Sequence, residues 1–118
     1  MKLTNFDLQD KEVNFAKLKR VMEENSFVHA EQWDYQRATF DIKMLDKTDD
    51  ATYYLRVPVI AVDGEIPKKS ATVKILTPYL GRHYYPHGVE YDEEFPNKIT
   101  SKCEAKLKAV EEELNSEL

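Results

Sequence analysis

The densest run of chemically capable side chains in this 118-residue chain lies between Thr77 and Tyr91. It holds four of the seven tyrosines, two of the three histidines and two of the three glycines, so a site built on side-chain chemistry would be sought there first. His83 and His87, followed by Glu90, Asp92, Glu93 and Glu94, are residue types that hold zinc, iron or manganese. The His-x-x-x-His spacing serves a metal on a helix, where both rings share one side. Here Pro86 precedes His87 and Gly88 follows it, which disfavours a helix. Tyr84 also stands where a zincin carries Glu. The spacing therefore favours histidines bonded within a packed loop, and no metal ligand is assigned. The carboxylates Glu90, Asp92, Glu93 and Glu94 could act as acid and base only if their environments split their pKa values. A run of acids in one polar stretch stays ionised in solvent, so no catalytic residue is assigned either.

Cys103 is the lone cysteine and sits within an apolar helical stripe, where it behaves as a small hydrophobe rather than a nucleophile. Aromatic and cationic side chains offer the remaining chemistry. Trp33, Tyr35, Tyr54, Tyr79, Tyr84, Tyr85 and Tyr91 could wall a pocket, with Arg37, Arg56 and Arg82 clamping an anion. The same rings equally make a core or a protein interface. If the chain binds a small ligand, the residues expected to hold it are Arg56, Arg82, His83, Tyr84, Tyr85, His87 and Glu90. No cofactor is expected.

These residues need elements to position them. Phe15, Leu18, Val21 and Met22 recur at helical spacing between Asn14 and Asn25, with Asn14 as N-cap. Phe27 to Trp33 is the least clear of four strand candidates. Ala38, Phe40, Ile42 and Met44 then alternate with polar residues, which means one buried face and one wet face. Asp46 to Asp50 is a polar turn. Tyr53, Leu55, Val57, Val59 and Ala61 line the inner face of the next strand, with Pro58 marking a bend, bulge or edge. Asp63-Gly64 turns the chain into a strand carrying Ala71, Val73 and Ile75 inward. Thr77 to Tyr91 follows with neither a helical nor a strand period, and reads as irregular. A final helix carries Ile99, Cys103, Leu107, Val110 and Leu114 on one stripe; burying Ile99 favours a start before Ser101. Its lysines lie early and its glutamates late, opposing the helix dipole, so packing must outweigh that order.

The expected architecture is α+β: an antiparallel four-stranded meander with the N- and C-terminal helices on one face. The far face would carry Thr39, Asp41, Lys43, Tyr54, Arg56, Lys74 and Leu76. Tyr54, Arg56 and Leu76 are large for a purely solvated surface, so a second layer is expected there, either the long segment or another subunit.

Bulk composition narrows the class. Length fits one domain, residues 1–118, with enough chain for one core without staples. The net charge of -5 argues against a nucleic-acid partner, which needs clustered Lys and Arg. No apolar run approaches the roughly 18 residues that span a bilayer, and Met1 to Asp10 lacks a secretory apolar region. With one cysteine, the expected compartment is the cytoplasm.

Gln32-Trp33-Asp34-Tyr35, Tyr54-Leu55-Arg56-Val57 and the whole of Thr77 to Tyr91 resemble the YugN-like family of small bacterial proteins. The resemblance covers nearly the full chain, and the Gly81 to Gly88 string is its most specific part. It implies a cytoplasmic protein of Gram-positive, spore-forming bacteria, and it brings no catalytic residues with it. The functional expectation is a non-enzymatic binding or assembly module acting as a homodimer. The alternative is a small-molecule sensor or enzyme with its site in residues 81–91.

Overall fold

The alternating apolar residues in the middle of the chain become two long paired strands. The computed structural model describes residues 1–4, 6–30, 33–48, 50–84, 88–91 and 94–116. Strand β1 (Glu12–Asn14) runs directly into helix α1 (Phe15–Glu24). Then follow β2 (Val28–His29), β3 (Arg37–Asp46), β4 (Ala51–Asp63), β5 (Thr72–Ile75), β6 (Tyr79–Tyr84), β7 (Gly88–Glu90) and α2 (Asn97–Ser116). The Asn14 side chain accepts from Lys17 N at 3.0 Å, capping α1 as its position predicts. Both apolar stripes are buried as expected, and α2 starts early enough to bury Ile99. No helix among the described residues is long and apolar enough to cross a membrane.

Among the described residues the sheet has seven strands, not four, and it is not a simple meander. Its order is β1-β5-β4-β3-β2, all antiparallel, with β6 also on β4 and β7 beyond β6. The physical reason is the length of β4. Thirteen residues span roughly 43 Å, room for two partners end to end along one edge. On its other edge β4 pairs β3 without interruption, from Arg37↔Ile60 to Asp46↔Ala51. The second edge is divided: β6 takes Thr52 to Arg56 and β5 takes Val59 to Asp63.

Pro58 lies at that division. Its carbonyl accepts from Leu76 N at 2.9 Å, so its donor-less nitrogen faces the gap where the partner changes. A proline is tolerated there without the bend or sheet edge that it otherwise implies. The one register shift along β4 falls between Ala61 and Asp63 instead.

The segment Thr77 to Tyr91 also departs from expectation. It supplies β6 and β7, whose register is Arg82↔Glu90, His83↔Val89 and Tyr84↔Gly88; residues 85–87 between them lie outside the described residues. The strand period is hidden because Leu80 is deeply buried while the alternate position is Gly81, which shows no side chain to read. Of Phe27 to Trp33, the described residues form β2, extended by Ala30 N donating to Thr39 O; residues 31 and 32 lie outside the described residues.

One core cluster joins the stripes of α1 and α2 to the inner positions of the sheet, Phe40, Ile42, Met44, Tyr53, Leu55, Val57, Val59, Val73, Ile75 and Leu80. Asn25 Nδ2 donates to Glu113 Oε2 at 2.9 Å and ties the end of α1 to α2. Both helices therefore close the same face. Among the described residues no helix covers the opposite face, the open face of the sheet.

Candidate functional site

Register places the side chains of the open face in rows, because residues directly opposed in a ladder point the same way. One row runs Val28, Asp41, Arg56, Tyr79, Lys2. The next holds Lys43, Tyr54 and Gly81, and a third holds Leu45, Thr52, His83 and Val89. Between β2 and β6 the surface sinks into a groove of about 680 Å³ whose lining includes Val28, Thr39, Asp41, Tyr54, Arg56 and Tyr79.

Arg56 is the centre of this face. Its Nη1 donates to the Tyr91 hydroxyl at 2.8 Å, and its guanidinium stands 5.1 Å from the Tyr54 ring centroid, a cation–π contact. Asp41 lies opposite on β3, with 3.5 Å from Nε to Oδ2. That is a long ion pair rather than a hydrogen bond, and Arg56 Nε and Asp41 Oδ1 are both buried without a hydrogen-bond partner. Burial raises Asp41 above the ordinary carboxylate value, and Arg56 only partly opposes it. Burial likewise raises the Tyr79 phenol, helped by Tyr91 and Asp41 and opposed by Arg56.

The rest of the face is arranged around Gly81. A Cβ on this residue would overlap Val89 and come within 2.5 Å of the Tyr91 ring. Glycine at this position lets Tyr91 lie across the sheet, edge-on to Tyr79 with ring centroids 5.1 Å apart. The chain's first residues finish the strand edge: Leu80 N donates to Met1 O, Leu3 N donates to Pro78 O, and the terminal ammonium donates to the carbonyls of Leu80 and Tyr91.

The residues that sequence reasoning grouped as one ligand site fall on both sides of the sheet. Arg56 and His83 are on the open face, where His83 meets Tyr54 edge-on at 6.2 Å. Arg82 points the other way, 5.9 Å from the core Tyr53 ring and 4.8 Å from the Tyr84 ring. Glu90 is opposite Arg82 and shares its side. Tyr85 and His87 lie outside the described residues. Among the described residues no three His, Cys, Asp or Glu side chains gather as metal ligands would. The Cys103 thiol is buried in the core and pushed up to about 12 by that burial, which keeps it protonated.

What sequence reasoning missed is the convergence of Asp41, Tyr79 and Tyr91 with Arg56. Alternation does place Asp41 and Arg56 on the outward positions of β3 and β4. Their pairing needs the hairpin register, and the arrival of Tyr91 needs the β6–β7 pairing.

A crystal structure of the uncharacterized conserved protein YugN from Geobacillus kaustophilus HTA426 superposes with a TM-score of 0.86 at 41% identity, covering 98% of this chain and 96% of that one. The uncharacterized protein YlbA of Bacillus subtilis (strain 168) is 38% identical over 112 residues, 93% of this chain and 92% of that protein. The uncharacterized protein YugN of the same organism is 34% identical over 73 residues, 62% of this chain and 53% of that protein. The family model of the YugN-like proteins matches residues 4–114, and the chain belongs to the YugN-like family.

Proposed function

We propose that this protein is a cytoplasmic, non-enzymatic binding module that works as a homodimer. The observation that carries the reading is the asymmetry of the sheet. Two helices close one face, and the open face holds a linked set, Asp41, Tyr54, Arg56, Tyr79 and Tyr91, in place of scattered solvated side chains. Tyrosine and arginine of this kind dominate recognition surfaces, because each presents a large apolar body with a polar tip.

The homodimer part rests on a second surface. Trp33 and Tyr35 touch edge-on at 6.4 Å and are 41% and 63% exposed. Val62, 45% exposed, lies across the same end of the β3–β4 hairpin, where Ala61 N donates to Gln36 O. Exposed tryptophan and tyrosine side by side are unusual on a monomer and typical at the centre of an interface. The chain exposes 7241 Å², against roughly 6,600 Å² expected of a 13.8 kDa monomer. A standard interface covers about 800 Å² per partner, the same order as this excess.

Light scattering at micromolar concentration tests the dimer, with an expected mass of twice 13.8 kDa. The pair Tyr35→Glu and Val62→Glu should return the monomer with an unchanged circular dichroism spectrum. Native mass spectrometry of protein purified from its host reads the oligomer and any retained small molecule together. A monomer without an adduct overturns the reading.

A further inference from the structure

We infer that the open sheet face binds a small oxyanion, carboxylate or phosphate, carried on a flat apolar body that stacks beside Tyr54. The inference rests on the reading of that face as a binding surface, and it adds the ligand's chemical class.

Charge distribution comes first. The whole chain carries -5, yet the rows around Tyr54 carry the opposite sign. Lys2, Lys43 and Arg56 lie on them against the single carboxylate Asp41, which is three positive charges to one negative. Lys43 is exposed and has no carboxylate partner among the described residues, and neither has Lys2. A face that collected cations only to dissolve them in water would have no reason to gather them around a half-buried ring in an acidic protein. Concentrated positive charge on a partly desolvated surface attracts anions.

Geometry comes second. Lys43 is directly opposite Tyr54 in the ladder, Arg56 sits over the Tyr54 ring at 5.1 Å, and His83 meets the ring edge-on at 6.2 Å. Arg56 and His83 thus flank the Tyr54 ring, and Lys43 neighbours it on the same face of the ladder. An oxyanion can accept from the Lys43 ammonium and the Arg56 guanidinium, while a flat body attached to it packs in the groove beside Tyr54. Asp41 does not exclude an anion. Its buried Oδ1 points away from solvent, and at 3.5 Å its Oδ2 leaves the Arg56 charge only partly neutralised.

Size comes third. A groove of about 680 Å³ lies within the 300–1,000 Å³ range typical of small-molecule sites. A nucleic-acid track would need a longer stripe of phosphate contacts. A second copy of this chain is also a poor occupant, because a two-fold axis would set the same cations against each other.

The test uses phenyl phosphate as probe, with benzamidine as its cationic counterpart, inorganic phosphate as the bare anion and a single-stranded oligonucleotide as the polymer. Amide shifts of the isotope-labelled protein are followed on titration. Phenyl phosphate should shift Lys43, Tyr54, Arg56 and His83 saturably, with Kd at or below about 1 mM, and inorganic phosphate should bind at least tenfold more weakly. Lys43→Glu, an exposed change that leaves the fold intact, should weaken phenyl phosphate at least tenfold. Equal binding of benzamidine overturns the charge assignment, and oligonucleotide binding tighter than phenyl phosphate overturns the small ligand. No shifts from any probe on this face overturn the inference, whereas the reading of the protein as a dimeric module fails separately, on its mass.

Discussion

Arg56 and Tyr91 stand 35 residues apart in the chain and share one hydrogen bond, Arg56 Nη1 donating to the Tyr91 hydroxyl at 2.8 Å. This bond joins the centre of the sheet to the segment beyond its last strand. The same guanidinium stands 5.1 Å from the Tyr54 ring centroid. Tyr91→Phe removes the hydroxyl and keeps the ring over Gly81. The loss should be about 1–2 kcal/mol, because a charge-assisted bond in a partly buried place disappears while packing stays. Urea denaturation measures it, and a wild-type midpoint would show that water replaces the hydroxyl at no cost.

Gly81→Ala should cost more than Tyr91→Phe. A methyl group there collides with Val89 and the Tyr91 ring, and relief requires lifting Tyr91 off the sheet. Overpacking of this kind costs about 1–3 kcal/mol. The damage should fall in part in the double variant Gly81→Ala with Tyr91→Ala, since one of the two residues collided with is gone while Val89 remains. Strict additivity of the two single changes in chemical denaturation would refute the collision.

Leu107→Ala empties the middle of the α2 stripe, where Leu107 is fully buried, and should cost about 2–5 kcal/mol. Glu112→Ala on the exposed side of the same helix should cost under about 0.5 kcal/mol. Equal midpoints for the two variants would mean that the wrong side of α2 faces the core.

His29 gives the fold an acid-sensitive point. Its ring packs among Phe15, Phe40 and Trp33 at centroid distances of 5.6, 5.4 and 5.9 Å, and its Nε2 is buried with no acceptor. Burial, with Lys19 adding to it, lowers its pKa below the ordinary 6.5. The folded chain then binds fewer protons than the unfolded chain, so this stability is complete above pH 6.5 and is lost as pH falls through the lowered folded value. Asp41 acts in the opposite sense. Its folded pKa is raised above 3.8, so acidification through that value favours the fold. Melting temperatures at pH 7.5, 6.5 and 5.5 should fall more steeply for the wild type than for His29→Gln. Parallel slopes would remove His29 as the cause.

Asp41→Asn follows from the same sign. The raised pKa means that the fold disfavours the charged carboxylate even with Arg56 beside it. A neutral amide of equal shape should therefore melt at or above the wild-type temperature at neutral pH, as residues kept for binding rather than for stability do. A clear drop in melting temperature would assign Asp41 a structural role.

The elements that the sequence determined by itself are those written in local periodicity. Phe15, Leu18, Val21 and Met22 specify α1, and Ile99 to Leu114 specify α2, because burial at helical spacing needs only neighbours within the helix. Ala38 to Met44 and Tyr53 to Ala61 specify a hairpin with one wet face, because strict alternation admits no other placement. The family is also legible, through the Gly81 to Gly88 string. Tertiary structure alone decided the rest. That β4 is long enough to hold β5 and β6 on one edge depends on which segments arrive there, and nothing within β4 announces it. Gly81 reads as part of an irregular segment until Tyr91 is seen to need its missing side chain. Arg56, Asp41, Tyr79 and Tyr91 belong to four separate stretches of chain, and they meet only because three ladder registers align them on the same face. The sign of each local preference is encoded in the residue, but convergence is a property of register, and register is set by long-range pairing.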